Sequence, residues 1–540
     1  MERFYMKKYI LFVTLILFSS IFSGCSAQRD LVRIYQEYPE DERVWEYIFD
    51  NVNEENEYVF EDRPLGVILP HDNLTSSELA KFYSGLSKVA DPSTVLIIGS
   101  NQSNSGEGNI QTCKNCIFST IIGDLEVDHD FLEKMVNEGA AEYNNETFIN
   151  DHAINIHSIF IKKYFPEAKI APILVKWKIP VNEVVKLSGW LDENLAEDDL
   201  AIGSVNFSGH VPQGVAEFHD RSSFTTINNF DLKNIYKLGV DSPSTIYALL
   251  SLMRSRGYAK VEQIAYTNSA NFIDEHSEET TSHQYIAFFN GEIDPMEGTS
   301  IMAFGNLPLD NSLTFFRGWE WDPNYNQKAD YTTIRLLKEI RGKEDRFFVG
   351  SDYFVFDIPE NDCLYDEING VKIGFCKLVE GSYDLYGYRD FLEEKRENTD
   401  LLFLLFEFKG GGEIDYDRKL LIRDFAKRGV DIFVGRGLKD IIPFENYRGS
   451  LLFYSLGNFI TDNKLAINLD SKSSGISLGI YIDEDYYYIY TFPIEINNGY
   501  PKLLDFSQRP SVFNAFIEEA SLRRRSDSTD SKKGIVKIRR

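Results

Sequence analysis

Short apolar segments alternate with amphipathic helical stretches along most of this chain, and this alternation constrains its fold more than any other feature. Helical patterns such as Ser76–Val89 and Ser242–Arg256 separate segments that are apolar at nearly every position. Strands of that kind are typical of a sheet covered by helices on both faces. We therefore predict an α/β domain over residues 61–296, with strands at Leu65–Leu69, Thr94–Ile98, Ile170–Val175, Leu200–Ser204 and Ile264–Tyr266.

A second series of the same kind predicts a second α/β domain over residues 297–508. Its helix is Arg418–Arg428, and its strands are Ser300–Phe304, Val371–Phe375, Leu401–Phe406, Asp431–Val434 and Leu451–Tyr454. A chain of 540 residues agrees with this division, because domains of roughly 100–200 residues are usual. Residues 26–60 are charged and predict a tether with one helix, and residues 509–540 predict a polar, basic tail.

The charge of the chain excludes one class of partner. Acidic residues outnumber basic residues 84 to 56, and the net charge is −28. A field of that sign repels the phosphate backbone of DNA and RNA. We therefore expect no nucleic-acid partner.

The first 25 residues have the pattern of a signal peptide. Three basic residues precede Tyr9–Phe22, an apolar run of about fourteen residues that is shorter than the roughly 20 needed to span a membrane. Ser23-Gly24-Cys25 follows, and small residues directly before a cysteine resemble a bacterial lipobox. The resemblance implies lipid on Cys25 and an exported protein, anchored to the outer face of the cytoplasmic membrane or the periplasmic side of the envelope. The alternative is a plain secretory signal in which Cys25 is incidental.

The other four cysteines suit an exported protein, because disulfides form outside the cytoplasm. Cys113 and Cys116 form a C-x-x-C in a polar loop, and Cys363 and Cys376 flank a hairpin pattern with Asn369-Gly370 at its turn. We predict two disulfides, Cys113–Cys116 and Cys363–Cys376. A zinc site is the weaker alternative because the C-x-x-C is not repeated, and a redox motif is weaker because it usually opens a helix.

All eight histidines lie between His71 and His283, and several polar residues follow predicted strands. His71 follows the first strand, Gln102 the second, and Asn206 a later one. The carboxyl ends of strands are where α/β proteins bind their ligands. We therefore predict one polar cleft, built from His71, Gln102, His152, His157, Asn206 and His210.

The motifs that carry these residues resemble the Memo family, also called AmmeMemoRadiSam system protein B, which shares its fold with class III extradiol dioxygenases. The family has Pro-His-Ala-Gly after its first strand, Pro-Ser-His-His after its second, Glu-His-Ser-x-Glu-x-His on a helix and Ser-Asp-Phe-Ser-His after a later strand. The corresponding segments here are Pro70–Asn73, Ser100–Ser103, Asp151–His157 and Ser204–His210.

The resemblance also implies an iron site, of whose ligands only His71 remains. The second-strand histidines of the family fall at Gln102 and Ser103, and the region Asp241–Pro243 has no cysteine to serve as the third ligand. One imidazole with amides makes a poor Fe(II) site, since two histidines and a carboxylate are typical. We therefore expect a hydrogen-bonded polar cleft without a cofactor, and Fe or Zn held through His71 is the alternative.

The second domain carries a different resemblance. Leu452–Phe459 contains Tyr-Ser-Leu-Gly-Asn-Phe, which is similar to a signature of the CapA-like capsule (poly-γ-glutamate) synthesis proteins. Their fold is that of the calcineurin-like metallophosphoesterases. The resemblance implies a second cleft with candidate residues Asn306, Asp310, Asp357, Arg436 and Asn458.

The metal ligands of that second family are also replaced. Asn306 stands where the family has an aspartate, and Gly435–Lys439 stands where it has Gly-His-His-Pro-His. A two-metal phosphoesterase needs several Asp, Asn and His ligands, so we expect no phosphoesterase activity. Arg436 and Lys439 either bind an anion or fix their loop through a surface salt bridge.

Together these features predict a surface lipoprotein with two degenerate metal sites, which binds a ligand or supports envelope or capsule assembly. Two alternatives stay open: a metal- or histidine-dependent enzyme acting through the first cleft, and a capsule or poly-γ-glutamate synthesis factor. The expected partners are the membrane, through lipid on Cys25, and an envelope polymer or a small anionic ligand.

Overall fold

The structure is a computed structural model of the chain. It describes residues 31–35, 41–149, 151–273, 279–303, 348–349, 354–355, 358, 360–368, 371–410, 413–457, 473–497, 500–505, 507–517 and 526–540. Five residues with predicted roles lie outside these ranges: Cys25, Asn306, Asp310, Asp357 and Asn458.

The N-terminal domain extends through residue 289 and mixes strands with helices. Its strands are β1 (Val32–Tyr35), β2 (Gly66–Leu69), β3 (Thr94–Asn101), β4 (Ile110–Thr112), β5 (Cys116–Thr120), β6 (Gly123–Leu125), β7 (Glu142–Tyr143), β8 (Lys169–Lys176), β9 (Leu200–Ser204), β10 (Gly209–Val211), β11 (Lys260–Asn268) and β12 (Thr280–Phe289). Its helices are α1 (Glu42–Asp50), α2 (Ser76–Leu86), α3 (His129–Asn137), α4 (Glu146–Ile149), α5 (His152–Tyr164), α6 (Val181–Asn194), α7 (Gln213–Asn228) and α8 (Pro243–Ser255).

A nine-stranded sheet forms the centre of this domain, in the order β10-β12-β2-β9-β3-β8-β4-β7 with β11 paired to β12. Strands β2, β9, β3 and β8 are parallel, and β3 is buried along its whole length. The prediction of apolar strands buried on both faces is therefore confirmed here. Ser204 at the end of β9 is in register with Leu69 on one side and Gly99 on the other, so three chain segments leave the sheet at one edge.

The segment before this sheet is only partly a tether. Strand β1 pairs in parallel with β5, and β5 pairs with β6 in a separate three-stranded sheet. Helix α1 buries Trp45 against Phe160 of α5. The predicted helix is present, but the tether prediction is wrong for Val32–Tyr35, because Ile34 supplies apolar surface to the core.

The C-terminal domain begins at Thr299. Its described strands are β13 (Thr299–Ala303), β14 (Phe348–Val349), β15 (Phe354–Val355), β16 (Asp362–Ile368), β17 (Val371–Val379), β18 (Leu401–Glu407), β19 (Ile432–Arg436), β20 (Ile441–Ile442), β21 (Glu445–Tyr447), β22 (Ser450–Phe453), β23 (Ser455–Leu456), β24 (Ser473–Ile482), β25 (Tyr486–Asn497), β26 (Tyr500–Leu503), β27 (Ser526–Asp530) and β28 (Ile535–Arg539). Its described helices are α9 (Leu385–Arg396), α10 (Tyr416–Lys427) and α11 (Arg509–Phe516).

Two sheets pack face to face in this domain. One has the order β15-β14-β13-β24-β25-β28-β27, with β26 on β25, and the other has the order β16-β17-β18-β19-β22-β21. Phe403 and Ile432 of the second sheet share a core with Leu478 and Ile489 of the first. Helices α9 and α10 cover the opposite face of the six-stranded sheet.

The prediction of a polar, basic tail over residues 509–540 is wrong for the parts that the structure describes, residues 509–517 and 526–540. Strand β28 pairs antiparallel with β25, and Val536 and Ile538 are buried in the core between the sheets. Helix α11 buries Phe513 and Phe516 in the same core. The charged neighbours hide the short apolar pattern of β28, whose inward side chains complete the sheet.

Helix α7 of the N-terminal domain packs against the eight-stranded sheet of the C-terminal domain. The ring of Phe218 lies 5.4 Å from that of Tyr490, and a side chain at Gly479 would collide with Phe218. Thr225 Oγ1 and Tyr481 OH are 2.7 Å apart. Arg221 Nε donates to Tyr490 OH at 2.6 Å. These contacts hold the two domains together.

Two disulfides are present in the described residues. Cys113 and Cys116 join the end of β4 to the start of β5, and both are fully buried. Cys363 and Cys376 are register partners across β16 and β17. Among the helices that the structure describes, we find none with the length and apolar character that crossing a bilayer requires.

Candidate functional site

The polar cleft of the N-terminal domain lies where β2, β3 and β9 end. His71 follows β2, Gln102 follows β3 and Asn206 follows β9. Because these strands are parallel and in register, the residues after them meet at one edge of the sheet. The structure therefore brings these three predicted side chains to the same edge of the sheet.

Protein groups surround the imidazole of His71. Its backbone N–H donates to Asn206 Oδ1 at 3.1 Å, and its Nδ1 lies 3.1 Å from Ser204 Oγ. Its Nε2 lies 2.7 Å from the side-chain amide of Gln102 and 2.9 Å from Asp241 Oδ2. The His71 side chain is 1% exposed, so these contacts occupy a buried ring.

Asp241 supplies the carboxylate that pairs with the imidazole of His71. Its Oδ1 accepts from the backbone N–H of Asn206 at 3.2 Å. Its Oδ2 is buried and makes no well-directed hydrogen bond among the described residues, so the contact with His71 is an ion pair by distance. Burial alone would lower the pKa of His71, but the charge of Asp241, with those of Asp151 and Asp72, raises it above its usual value.

A second imidazole lies behind the first. His157 Nε2 is 3.1 Å from Ser204 Oγ, and His157 Nδ1 is 3.0 Å from Tyr83 OH. Burial and the neighbouring charge of His71 lower the pKa of His157 to about 3. His157 is therefore neutral, and the Ser204 hydroxyl bridges it to His71.

The two remaining predicted residues, His152 and His210, are exposed instead of buried. His152 is exposed in the first turn of α5. His210 is exposed on β10, with a positive φ of 58°, and its side chain makes no hydrogen bond with any described residue. The prediction that His210 belongs to this cleft network is wrong, because β10 pairs with β12 at the far side of β2.

Sequence reasoning missed three members of the network: Asp241, Ser204 and Tyr83. Asp241 lies just before the cap of α8, in the segment where the resemblance implies a cysteine ligand. Ser204 and Tyr83 are buried within a strand and a helix and carry no sequence signal of their own.

The donor set does not fit the iron site that the resemblance implies. One imidazole, one carboxylate and one neutral amide converge, where two histidines and a carboxylate are typical of Fe(II). Within the described ranges, no three His, Cys, Asp or Glu side chains are grouped to hold a metal ion.

Comparison with known proteins identifies this half of the chain. Residues 35–283 match the family described as "Memo-like protein". The N-terminal half is a Memo-like domain. It is 24% identical over 233 residues to a "MEMO1 family protein" of Methanococcus vannielii, covering 40% of this chain and 81% of that protein. A "MEMO1 family protein" of Pyrobaculum arsenaticum is 23% identical over 239 residues, covering 42% of this chain and 84% of that protein.

A second similarity points to a different protein. The "PGA biosynthesis protein CapA" of Bacillus subtilis (strain 168) is 27% identical over 168 residues, which cover 27% of this chain and 43% of that protein. The match spans less than half of that relative. It agrees with a second α/β domain beside the Memo-like domain.

Of the residues predicted for the second cleft, Arg436 lies within the described ranges. It ends β19, in register with Glu407 of β18. Burial lowers the pKa of Arg436 to about 10. Lys439, which the sequence grouped with it, is exposed in the following loop.

Proposed function

We propose that this protein is an exported, lipid-anchored Memo-like protein whose cleft binds a polar envelope ligand without a metal ion. The observation that carries this proposal is the ion pair between His71 Nε2 and Asp241 Oδ2 at 2.9 Å. The two ring nitrogens of His71 already have protein partners, Ser204 on one side and Asp241 with Gln102 on the other.

A protonated imidazole has no lone pair to give to a metal. The raised pKa of His71 extends the pH range in which the ring carries both protons. In that form Nδ1–H donates to Ser204, Nε2–H faces Asp241, and the Gln102 amide turns its oxygen toward the ring. A metal ion would have to displace the proton and break the ion pair.

The charge of the cleft indicates the kind of ligand. Asp72, Asp151 and Asp241 all lie near enough to act on the pKa of His71. The chain as a whole has a net charge of −28. This setting favours groups that donate hydrogen bonds or carry positive charge, such as the hydroxyl and ammonium groups of an envelope polymer, over an anion. Gln102, which contacts the buried ring of His71, is itself exposed to solvent.

The metal content of the chain from Gln28 onward tests the proposal. We expect substoichiometric metal after mild chelation and reloading with Fe, Mn or Zn, and a melting temperature that does not rise with metal concentration. His71→Ala and Asp241→Ala should leave this result unchanged. His210→Ala is the matched control, because its ring lies outside the network. Tight stoichiometric metal in the wild type that is lost in His71→Ala, but kept in His210→Ala, would contradict the proposal.

An enzymatic role is the second candidate, favoured by the orientation of His71. Ser204 contacts Nδ1, whereas Gln102 and Asp241 face Nε2, so the ring can act as a general acid or base once a substrate displaces the Gln102 amide from Nε2. If this role is correct, turnover of a ligand found by screening should fall by about 10²–10⁴-fold in His71→Ala. Binding without turnover would favour the first candidate.

A role in capsule or poly-γ-glutamate assembly is the third candidate, favoured by the similarity to the "PGA biosynthesis protein CapA". On this view the C-terminal domain has the calcineurin-like fold of that family, with a degenerate metal site. Deleting the gene in its host should then reduce surface polymer. A version with Arg436→Ala should restore less polymer than the wild type, and unchanged polymer in the deletion strain would reject this candidate.

A further inference from the structure

The small sheet of the N-terminal domain, β1-β5-β6, has one face in the core and one face toward solvent. Ile34, Phe118 and Leu125 are register partners across this sheet and are buried in the core. Successive side chains of a strand lie on opposite faces. Arg33 and Tyr35, the neighbours of Ile34 on β1, therefore lie on the outer face, where Tyr35 is 64% exposed.

The turn that joins β5 to β6 carries two exposed isoleucines. Thr120 pairs with Gly123, so Ile121 and Ile122 alone form the turn, and they are 36% and 37% exposed. Tight turns favour Gly, Asn, Asp and Ser, whereas the β-branched side chain of isoleucine suits a buried strand. Neither the turn nor the core of the domain therefore explains a pair of isoleucines at this position.

Tyr35 lies at the same end of the sheet as this turn. Its register partner is Ser119, two residues before Ile121. Leu31, directly before β1, is 53% exposed. Single exposed apolar side chains are ordinary, but a group of them marks a surface that contacts a partner or a membrane. We call this group, Leu31, Tyr35, Ile121 and Ile122, the apolar rim.

The position of the predicted anchor indicates what the apolar rim meets. Leu31 is six residues after Cys25, and six residues span at most about 20 Å when fully extended. β1 adds four residues at about 3.3 Å each on the way to the turn. A bilayer that holds lipid on Cys25 is therefore within reach of the whole rim.

The polar groups beside the rim suit the headgroup region of a bilayer. Arg33 Nη1 lies 2.8 Å from Asp124 Oδ2, so this carboxylate is paired. A Cβ at Gly123 would lie 3.6 Å from Cε of Lys162, which places a second cation next to the turn. Tyrosine, lysine and arginine are typical of membrane interfaces, where their apolar parts contact acyl chains and their polar ends stay in water. Because the net charge of the chain is −28, general attraction to anionic lipids does not supply the contact, and apolar side chains must.

We propose that the apolar rim rests on the lipid bilayer to which Cys25 is anchored, with Tyr35, Ile121 and Ile122 among the headgroups. The proposal rests on the lipid anchor of the proposed function and adds the surface of the folded domain that meets the lipid. A single acyl chain binds a membrane only marginally, and a second contact makes the attachment stable. The rim also fixes which side of the domain faces the bilayer.

Fluorescence quenching on vesicles tests this contact. The chain from Gln28 onward carries an N-terminal oligohistidine tag and is held on phosphatidylcholine vesicles by a nickel-chelating lipid. The tag replaces the acyl anchor, so the result does not depend on lipid at Cys25, which labelling with a fatty acid tests separately. The other four cysteines are in disulfides, so a fluorophore on the thiol of Ile122→Cys reports on the turn alone. We expect lipid-borne quenchers to quench it more strongly than a fluorophore on Ile273→Cys, at a 69% exposed position after β11.

Two double variants make the test specific. Ile121→Ser with Ile122→Asn removes apolar surface and places turn-favouring residues at the tip, so the melting temperature should change little and the affinity for these vesicles should fall about tenfold. Phe272→Ser with Ile273→Asn alters a matched exposed pair outside the rim and should leave the affinity unchanged.

Three results would overturn the proposal: equal quenching of the two fluorophores, vesicle binding by the Ile121→Ser, Ile122→Asn variant that equals that of the wild type, or equal losses in the two double variants. A dimer in solution that only the Ile121→Ser, Ile122→Asn variant dissociates would also overturn it, because the rim would then meet a second copy of the chain.

Discussion

The Nε2 atom of His71 lies 2.9 Å from Oδ2 of Asp241. His71 leaves the sheet after β2, whereas Asp241 comes from the loop that leads into α8. Their meeting places a buried ion pair at the centre of the Memo-like cleft. Because the charge of Asp241 raises the pKa of His71 against the effect of burial, the strength of this pair depends on pH.

Asp241→Asn should therefore destabilise the protein in a pH-dependent way. A histidine whose pKa is raised on folding contributes stability that is fully present below its unfolded value of 6.5 and is lost as the pH rises through the folded pKa. We expect the substitution to lower the free energy of unfolding by about 2 kcal/mol at acidic pH and by much less at alkaline pH. Denaturant titrations at both pH values measure this, with the exposed Asp91→Asn as control. An equal loss at both pH values would contradict the ion pair.

Asp220→Asn should remove a second pH dependence of the unfolding free energy, which comes from a buried carboxyl group instead of an imidazole. Burial raises the pKa of Asp220 to about 6, although Ser208 Oγ and Tyr266 OH donate to it at 2.9 and 3.0 Å. The folded state thus binds the proton more tightly, and its stability falls as the pH rises from the unfolded value of 3.8 to about 6. The unfolding free energy of the wild type minus that of the variant should fall by about 3 kcal/mol across this range. If this difference did not change with pH, the pKa of Asp220 would be the same in the folded and unfolded states, and the prediction would be wrong.

Phe218→Ala should loosen the contact between the two domains. Phe218 is 3% exposed and packs on Tyr490, Phe492 and the backbone at Gly479. Removing a buried phenylalanine costs about 3–5 kcal/mol. Because the ring joins a helix of the N-terminal domain to the eight-stranded sheet of the C-terminal domain, we expect calorimetry to show two separated unfolding transitions in place of coupled ones. Phe272→Ala, at a 40% exposed position, is the control and should leave the transitions unchanged.

The strands of the central sheets were predictable because they are apolar on both faces. β3 and β18 are buried at nearly every position, so their composition alone marks them. β28 was not predictable from its own residues. Only pairing with β25 gives Val536 and Ile538 their buried positions, and that partner is distant in sequence.

Some residues of the cleft were likewise predictable from the sequence, and others were not. His71 and Gln102 follow strands, and parallel strands bring such positions together whatever the loops do. Asp241 reaches the cleft through a long connection whose path no local pattern reveals. His210 was predicted in the cleft because it is close to Asn206 in sequence. The chain turns into β10 after Asn206, and β10 pairs with β12, so His210 lies away from the cleft.

The disulfide between Cys363 and Cys376 should stabilise the C-terminal domain. The two cysteines are 13 residues apart, and closing a loop of about that length is worth roughly 3 kcal/mol in the chain-entropy model. Replacing both by alanine should lower the free energy of unfolding by about this amount. Peptide mapping without reduction should find Cys113–Cys116 and Cys363–Cys376 linked, and four free thiols in the exported protein would reject the pairing.

Cys25→Ala should release the protein from the membrane or leave an uncleaved precursor. The basic start, the short apolar run and Ser23-Gly24-Cys25 are the pattern on which lipidation of Cys25 is predicted. One acyl chain gives only marginal membrane binding, so stable anchoring needs more than one chain on this cysteine or a further contact. In cells fed a labelled fatty acid, the wild type should carry label and fractionate with membranes, and Cys25→Ala should carry no label, whether it is released or kept as a precursor. Ser26→Ala keeps the cysteine and is the matched control. Label that persists on Cys25→Ala would show that the anchor, if there is one, lies elsewhere in the chain.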